Sequence, residues 1–482
     1  MDRNMHALPI SYRLQGDTEM RESGDGVVVI SPFCQVTIAR LSPPVRRVLM
    51  RLARTACPAN WIQQALQAEA QSEKLLASFY QYIACLLRHR MVALCTGNGE
   101  GQGSLATLFP ISSSIKHTWV TIQMDQAYQM SRFAYLRRDE NGSTCLESPL
   151  SHARIRLERP LAASLIYQLG SAVTPLELSQ GVPAEEREHA MGLLTLLVMG
   201  DFAALTTSEG QLSTEQDQAC QQWEFHDLLF HSRSRAGRHD NEIGGTYRFL
   251  SRFPPQPAIK QSAWPLSIPL FRPDMQRLRA EDPALTDVLE KRTSLRSYGE
   301  QPITANQLGE FLYRVARVKE VYNNEESGDF TSRPYPGAGA SYELELYLTI
   351  EQCEGLAPGF YWYHPVEHAL ALVREDSKET QNLLFEASQA MGSSDRPQVL
   401  ITLAARFQRV AWKYQSLAYS LILKDVGVLY ATMYLVATAM KLAPCALGAG
   451  DSDLFAKIAA TEYLKETSVG EFMLGSRPAD MV

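Results

Sequence analysis

Two stretches in the first half of the chain are copies of one another, and this limits how that half can fold. "SPFCQVTIARLSPPVRRVLMRLA" starts at Ser31 and "SPLSHARIRLERPLAASLIYQLG" at Ser148. They align without a gap: Ser31-Pro32 on Ser148-Pro149, Ile38 on Ile155, Pro43 on Pro160, Leu52 on Leu169. Solenoid units repeat every ~20–50 residues, and these copies are spaced more widely, so the pattern predicts two tandem small domains. Both copies follow one grammar. A β-rich lead-in carries a turn signal, "ESGDGVVVI" in the first and "RRDENGSTCLE" in the second. Prolines then open a helix, Pro43-Pro44 and Pro160. Two more helical segments follow, and a short apolar strand closes each copy at Leu94 and Leu205.

Helix-helix-helix-strand units of this size look like winged-helix modules. Reading a DNA groove needs Arg, Lys, Asn or Gln on an exposed helix face. The third helical segments, "ASFYQYIACLLRHR" and "REHAMGLLTLLVMG", are mostly apolar. The net charge of −7 also lacks the basic excess of a general nucleic-acid binder. Peptide binding by strand addition at a sheet edge fits these modules better. The expected organisation is therefore a first module at 1–100, the linker "NGEGQGS", a second module at 105–220, an extended connector at 221–283, and an α+β domain at 284–482. The N-terminus "MDRNMHALPISYRLQGD" has no apolar signal segment. The longest apolar run, Val426 to Met440, falls short of the ~20 residues that cross a bilayer, so a cytoplasmic protein with one buried helix is expected. Eight scattered cysteines with no C-x-x-C pair, and no H-E-x-x-H among ten histidines, predict no metal site.

Three segments of the last domain carry chemistry. In "EKRTSLRSYGE", Arg292, Ser294 and Arg296 alternate, so an extended chain would turn them to one side as a clamp for an anion. Thr304 is the expected N-cap of the helix that follows. In "TSRPYPGAGASYELELYLTI", the small residues of Pro336, Gly337, Ala338 and Gly339 let backbone N–H groups approach a planar or anionic ligand, ahead of a strand from Tyr342 to Ile350. In "RVAWKYQSLAYSLILKDVGVLYATMYLVATAMKL", Lys413 and Tyr414 stand at the mouth of an apolar helix. Gly448 and Gly450 then form another small-residue loop before a helix capped at Asp451 or Ser452, and Arg477 follows the last strand.

Joined in this order, the segments resemble the nitroreductase superfamily, and within it the azoline dehydrogenases of the SagB type. The marks are Trp412-Lys413-Tyr414, the stretch "RPYPGAGASYELELY", the terminal "GEFMLGSRP" and the connector "LLFHSRSRAGRH". The tandem modules look like the peptide-clamp domains fused to some cyanobactin oxidases. Leu417 and Ser420 replace arginines common in the family, Val428 stands where a histidine is common, and Gly337 where a serine is. Asp425 and Gly427 are kept.

The resemblance implies an FMN-dependent oxidoreductase that oxidises thiazoline or oxazoline rings in a ribosomally made peptide. It implies Lys413 and Tyr414 as a base and its tuning partner. It implies that Arg292, Ser294, Arg296, Pro336, Gly337, Ala338, Gly339, Gly448, Gly450 and Arg477 hold FMN at the interface of a homodimer. The tandem modules would bind a leader peptide or steady the dimer, and a cyclodehydratase would be a partner. Two other readings are an NAD(P)H-dependent nitro- or quinone-reductase and a non-catalytic scaffold in a peptide-modifying complex. The ~220 residues of added surface argue against the former, since a standard interface takes only ~800 Å² per partner.

Overall fold

The computed structural model describes residues 8–69, 71–97, 103–117, 120–207, 210, 212–324, 328–392 and 395–479. The chain forms two compact units, Met1–Asn241 and Glu242–Val482. The glycine-rich linker lies largely outside the described residues.

In the first unit the repeat is visible element by element. The first copy runs β1 (Ile10–Leu14), β2 (Glu19–Ser23), β3 (Gly26–Ile30), β4 (Gln35–Ile38), α1 (Pro43–Leu52), β5 (Cys57–Pro58), α2 (Ala59–Gln67), α3 (Ser72–Arg88) and β6 (Val92–Thr96). The second runs β7 (Ala106–Pro110), β8 (Tyr128–Met130), β9 (Tyr135–Arg138), β10 (Thr144–Glu147), β11 (Ala153–Leu157), α4 (Pro160–Gln168), α5 (Pro175–Gln180), α6 (Arg187–Met199) and β12 (Ala203–Leu205). Pro43-Pro44 and Pro160 occupy the first turns of α1 and α4, where a missing N–H costs nothing. α1 buries Val45, Val48, Leu49 and Leu52, the i, i+3, i+4, i+7 stripe of an amphipathic helix. The equivalent Leu52 and Leu169 are both core residues.

The two copies do not separate into a 1–100 and a 105–220 domain. β6 of the first pairs with β7 of the second, placing Leu94 opposite Leu108. The result is one seven-stranded sheet, β5-β1-β6-β7-β11-β10-β9. One core takes Leu49, Phe79 and Ile83 from the first copy and Leu165, Leu193 and Phe202 from the second. The pairing satisfies strand edges that each copy would otherwise expose.

The expected connector is also divided. α7 (Gln218–Gln221) and α8 (Phe225–Arg233) belong to the first unit, whereas the chain from Glu242 onward packs as part of the second. That unit is built on a sheet of β13 (Leu266–Pro269), β18 (Ala369–Glu375), β17 (Gly359–His364), β16 (Leu344–Ile350), β19 (Val399–Arg406), β21 (Glu466–Ser476) and β20 (Leu442–Leu447), in that spatial order. A separate hairpin joins β14 (Glu320–Asn324) to β15 (Gly328–Ser332). Along β16 and β19 successive side chains enter opposite cores, as the strand period of two requires. Leu344, Leu346, Leu348, Val399, Ile401 and Leu403 pack on one face; Tyr347, Leu400 and Ala404 on the other.

Helices cover both faces. The first is packed by α11 (Ala305–Ala316) and α14 (Ala418–Ala439), the second by α12 (Lys378–Met391) and α15 (Ser452–Ala459). Short α9 (Met275–Glu281), α10 (Leu285–Lys291) and α13 (Phe407–Ala411) complete the unit. Thr304 closes a capping box with Gln307, and Asp451 caps α15 by accepting from the Leu454 N–H. α14 is longer than its apolar run suggested: 22 residues, long and apolar enough to cross a membrane. Here it buries Ile422, Asp425, Val426, Leu429, Met433 and Ala437 along one side. Much of its remaining apolar surface is left partly open, with Leu423 and Tyr419 exposed.

Buried cations bind residues 242–264 to the sheet. Arg406 donates to the carbonyls of Pro257 and Ala258 and pairs with Glu345 at 3.0 Å. Arg409 donates to the carbonyls of Gln256, Ser341 and Asp329. Lys260 reaches Glu466 at 2.6 Å and the Tyr347 hydroxyl at 2.7 Å. Burial and the nearby Arg406 push Arg409 down to about 10, so it stays charged at neutral pH. Arg409→Met leaves three carbonyls without donors, and each buried orphan costs roughly 1–3 kcal/mol. The variant is expected to lose about 3 kcal/mol or more in a urea unfolding titration.

Candidate active site

Lys413 and Tyr414 lie in the turn between α13 and α14, not on the long helix itself. Ser416 takes φ 64° there and breaks the helical path. The turn is fixed from several sides. The Trp412 indole donates to the Phe253 carbonyl at 2.7 Å. Gly244 and Gln415 exchange backbone hydrogen bonds of 3.3 and 2.9 Å. The Tyr247 N–H donates to the Lys413 carbonyl at 3.1 Å, and the Ser416 hydroxyl to the Glu242 carbonyl at 2.8 Å. Residues 242–253 thus strap the Lys-Tyr turn down.

The side chains of the pair meet the small-residue loop. Lys413 Nζ donates to the Gly339 carbonyl at 3.2 Å. It also lies 5.7 Å from the Tyr247 ring, 5.4 Å from Phe330 and 5.3 Å from Tyr414, within cation–π range of all three. Gly339 has φ 53°, a left-handed conformation that glycine adopts without strain. A Cβ there would fall 2.2 Å from the Tyr414 hydroxyl and 2.6 Å from Lys413 Nζ. Both polar ends therefore converge on one point of the loop. Gly337 is less confined: its Cβ would lie 3.1 Å from the Tyr342 ring. Pro336 is exposed at the start of the loop.

Beneath the loop is a carboxyl pair. Asp425 of α14 accepts the Ala338 N–H at 2.8 Å. Glu343, wholly buried at the entry to β16, feels the negative charge of Asp425, and neither of its oxygens has a hydrogen-bond partner. Burial, then the negative charge of Asp425, pushes Glu343 up to about 8, so it keeps a proton at neutral pH. Burial raises Asp425 as well, while the Ala338 N–H opposes that shift. Both carboxyls are thus pushed towards the protonated form, Glu343 being the more deeply buried of the two.

The arginine clamp is elsewhere. Ser294 Oγ is 2.8 Å from the Tyr434 hydroxyl, which also accepts the Ala446 N–H at 2.8 Å. The Arg292 guanidinium lies 5.5 Å from the Tyr434 ring. Tyr434 is near the C-terminal end of α14, about 24 Å along the helix from Ala418 at the standard α-helical rise. Arg477 lines a cavity of about 800 Å³ at that same end, with Asp287, Lys291, Thr438, Lys441 and Ser476. Gly448 is open, and Gly450 lies against Glu471, whose carboxylate would be 2.2 Å from an added Cβ. One chain therefore does not gather the expected flavin residues at a single point. It places Lys413, Tyr414 and Gly337–Gly339 at one end of α14, Gly448 and Gly450 beside the sheet, and Arg292, Ser294, Arg296 and Arg477 towards the other end.

The clamp residues suit a phosphorylated ligand. Among the described residues Arg292, Arg296 and Arg477 form no ion pair. Arg477 Nε is buried with no hydrogen-bond partner, a donor waiting for an acceptor.

The sequence reading missed Glu343, Asp425 as a site residue, Tyr247 and Tyr434. A signal for the first was in view: the acids at 343 and 345 in the mostly apolar stretch "YELELYLTI" each need a buried partner. Tyr247 lies too far from Lys413 in sequence for any local pattern to reveal it.

The family model of the nitroreductases matches residues 289–476. MJ1384 of Methanocaldococcus jannaschii, a protein named as a nitroreductase, is 30% identical over 177 residues, which is 37% of this chain and 82% of that one. The chain belongs to the nitroreductase family. The model of cyanobactin oxidase ThcOx matches residues 128–240, the second repeat copy and the segment after it. The microcin B17-processing protein McbC of Escherichia coli is 31% identical over 110 residues, 22% of this chain and 40% of McbC. The resemblance of this nitroreductase to the SagB-type azoline dehydrogenases holds on these two matches. Among solved structures, the Escherichia coli microcin synthetase McbBCD complex with truncated pro-MccB17 aligns at 19% identity with a TM-score of 0.32, covering 56% of this chain and 99% of the matched one.

Proposed function

We propose that this nitroreductase-family protein is an FMN-dependent dehydrogenase that converts thiazoline or oxazoline rings in a ribosomally made peptide to the aromatic azoles. The observation that carries the reading is the convergence of Lys413 and Tyr414 on Gly339. Two titratable ends meet at a position where any larger residue would displace them.

The reaction removes two electrons and two protons from the ring. One proton leaves the carbon α to the peptide carbonyl as H⁺, and the adjacent carbon gives up the other with the electron pair as hydride. FMN, when bound, supplies the hydride acceptor, which no side chain can be. Lys413 or Tyr414 takes the proton, with its neighbour as charge partner. The Gly339 carbonyl and the strap of residues 242–253 fix where the pair points. Arg292, Ser294, Arg296 and Arg477 would hold phosphate and ring edge, and the 336–339 and 448–450 loops would line the cofactor with backbone groups.

Because the two residue sets lie at opposite ends of α14, a complete site needs two copies of the chain. A two-fold axis brings one copy's Lys-Tyr end beside the other copy's clamp. The open apolar side of α14, with Tyr419 and Leu423, and the neighbouring Leu285 and Leu289 of α10 give such a homodimer a surface to bury. In the first unit, the outer strands β4 and β9 offer edges to which a leader peptide could add. The enzyme would work in the cytoplasm with a cyclodehydratase that makes its azoline substrate.

Arg292→Ala combined with Arg296→Ala is expected to weaken FMN binding by about 10²–10⁴-fold, taking charge-assisted hydrogen bonds at ~1.5–3 kcal/mol each. Flavin fluorescence titration measures this, and unchanged affinity would remove both arginines from the flavin site. Steady NAD(P)H consumption with nitro compounds, and no azoline oxidation, would favour the reductase reading instead.

A further inference from the structure

Asp425 and Glu343 have no role in the reaction as described, yet they are connected to it through one turn. The Ala338 N–H is held by Asp425 at 2.8 Å, and the carbonyl of the next residue, Gly339, holds Lys413 Nζ at 3.2 Å. The loop is short, partly exposed and made of small residues. Its own turn bonds run from the Ala340 N–H to the Gly337 carbonyl and from the Ser341 N–H to the Ala338 carbonyl, at 3.2 and 3.1 Å, and Asp425 adds a side-chain acceptor from α14. Glu343 is buried within reach of the charge of Asp425, and neither of its oxygens has a hydrogen-bond partner.

We propose that Asp425 and Glu343 are positioning residues for Lys413, acting through the Ala338–Gly339 turn. The proposal rests on the reading of Lys413 as part of the proton-accepting pair. While the two carboxyls share one proton, Asp425 carries the charge and grips the turn. When both are ionised, two buried anions face each other and Asp425 is pushed from its partner.

The surroundings of the pair allow this behaviour. Arg333, from the segment after β15, and Arg409 of α13 act on Glu343 from the buried side. Tyr335 and Tyr342 lie beside it, Tyr342 donating to the Tyr335 carbonyl at 2.9 Å. Lys424, the neighbour of Asp425 on α14, is exposed and contributes weakly. The cations soften the charge of the pair without supplying hydrogen bonds to Glu343, so its proton is what keeps Asp425 in place.

The test uses the full chain with FMN and the variants Asp425→Ala, Asp425→Asn and Glu343→Gln. Four quantities are read: kcat and KM for an azoline peptide across pH 6–9, flavin occupancy by absorbance, and the rate at which an acetylating N-hydroxysuccinimide ester modifies Lys413, followed by peptide mass spectrometry. Asp425→Ala is expected to lower kcat by roughly 10- to 100-fold, the cost of a misplaced reacting group, with KM and flavin occupancy within about twofold of the parent. Its Lys413 acetylation rate should change several-fold. Asp425→Asn keeps an oxygen for the Ala338 N–H and should recover most of both. The parent's kcat should fall as pH rises past about 8, where Glu343 loses its proton, and Glu343→Gln should remove that limb. Parental kcat and parental acetylation in Asp425→Ala would overturn the proposal, as would a loss explained wholly by missing flavin. If Asp425→Ala does not fold, the pH profile of Glu343→Gln decides, and an unchanged alkaline limb overturns it. A parent protein inactive on azolines sinks the functional reading alone, because the acetylation rates still show whether Asp425 positions Lys413.

Discussion

Lys413→Ala and Tyr414→Phe are each expected to lower azoline oxidation by roughly 10²–10⁴-fold, the usual share of a positioned acid–base group. Flavin occupancy should stay at the parental level, because the clamp is at the other end of α14. The fold should also survive. Lys413 is half-exposed, and its one hydrogen bond goes to a loop carbonyl that water can reach. Tyr414→Phe removes only a hydroxyl, leaving the ring against Lys413. The Trp412 anchor and the 242–253 strap remain in both variants. Turnover with bound azoline peptide, normalised to flavin absorbance, measures the effect. Full activity in both variants would remove the pair from the chemistry. A large loss in only one would identify the proton acceptor, which sequence and geometry leave shared between them.

Gly339→Ala should separate activity from stability even more sharply. The new methyl would lie 2.2 Å from the Tyr414 hydroxyl and 2.6 Å from Lys413 Nζ. Those atoms are the free ends of two side chains, so the fold can yield by swinging both away. The left-handed backbone at φ 53° adds a cost of about 1–2 kcal/mol for a residue with a Cβ. The melting temperature should therefore fall by only a few degrees. Activity should fall by about 10²-fold or more, because the pair moves from where the proton is taken. Calorimetry and turnover on the same sample test this. A variant that keeps its turnover would show that the pair need not meet at Gly339.

The features legible in the sequence were local ones. Pro43 and Pro160 marked helix starts because proline at a first helical turn loses no hydrogen bond. Thr304 and the pair Asp451-Ser452 marked caps, and the small-residue run at 336–339 marked a loop that other groups could approach closely. Lys413-Tyr414 stood out because an apolar helix needs neither residue at its mouth. Relations across the chain were not legible. The two repeat copies share a sheet because β6 and β7, adjacent in sequence, pair edge to edge, and no pattern within either copy encodes that. The boundary expected at 284 lies at 242, because the partners of Arg406, Arg409 and Trp412 are backbone carbonyls, which carry no residue signature. Glu343 meets Asp425 only through packing of α14 on the sheet. The length of α14 sets the residues proposed for the flavin apart, and a list of motifs in chain order gives no such distance.

The central claim is that this nitroreductase oxidises azoline rings. Mass spectrometry of an azoline-containing peptide incubated with the full chain and FMN tests it most directly. The account predicts that each ring loses the mass of two hydrogens, that the loss needs FMN, and that Lys413→Ala abolishes it. A peptide that keeps its mass in the presence of flavin-loaded protein would contradict it.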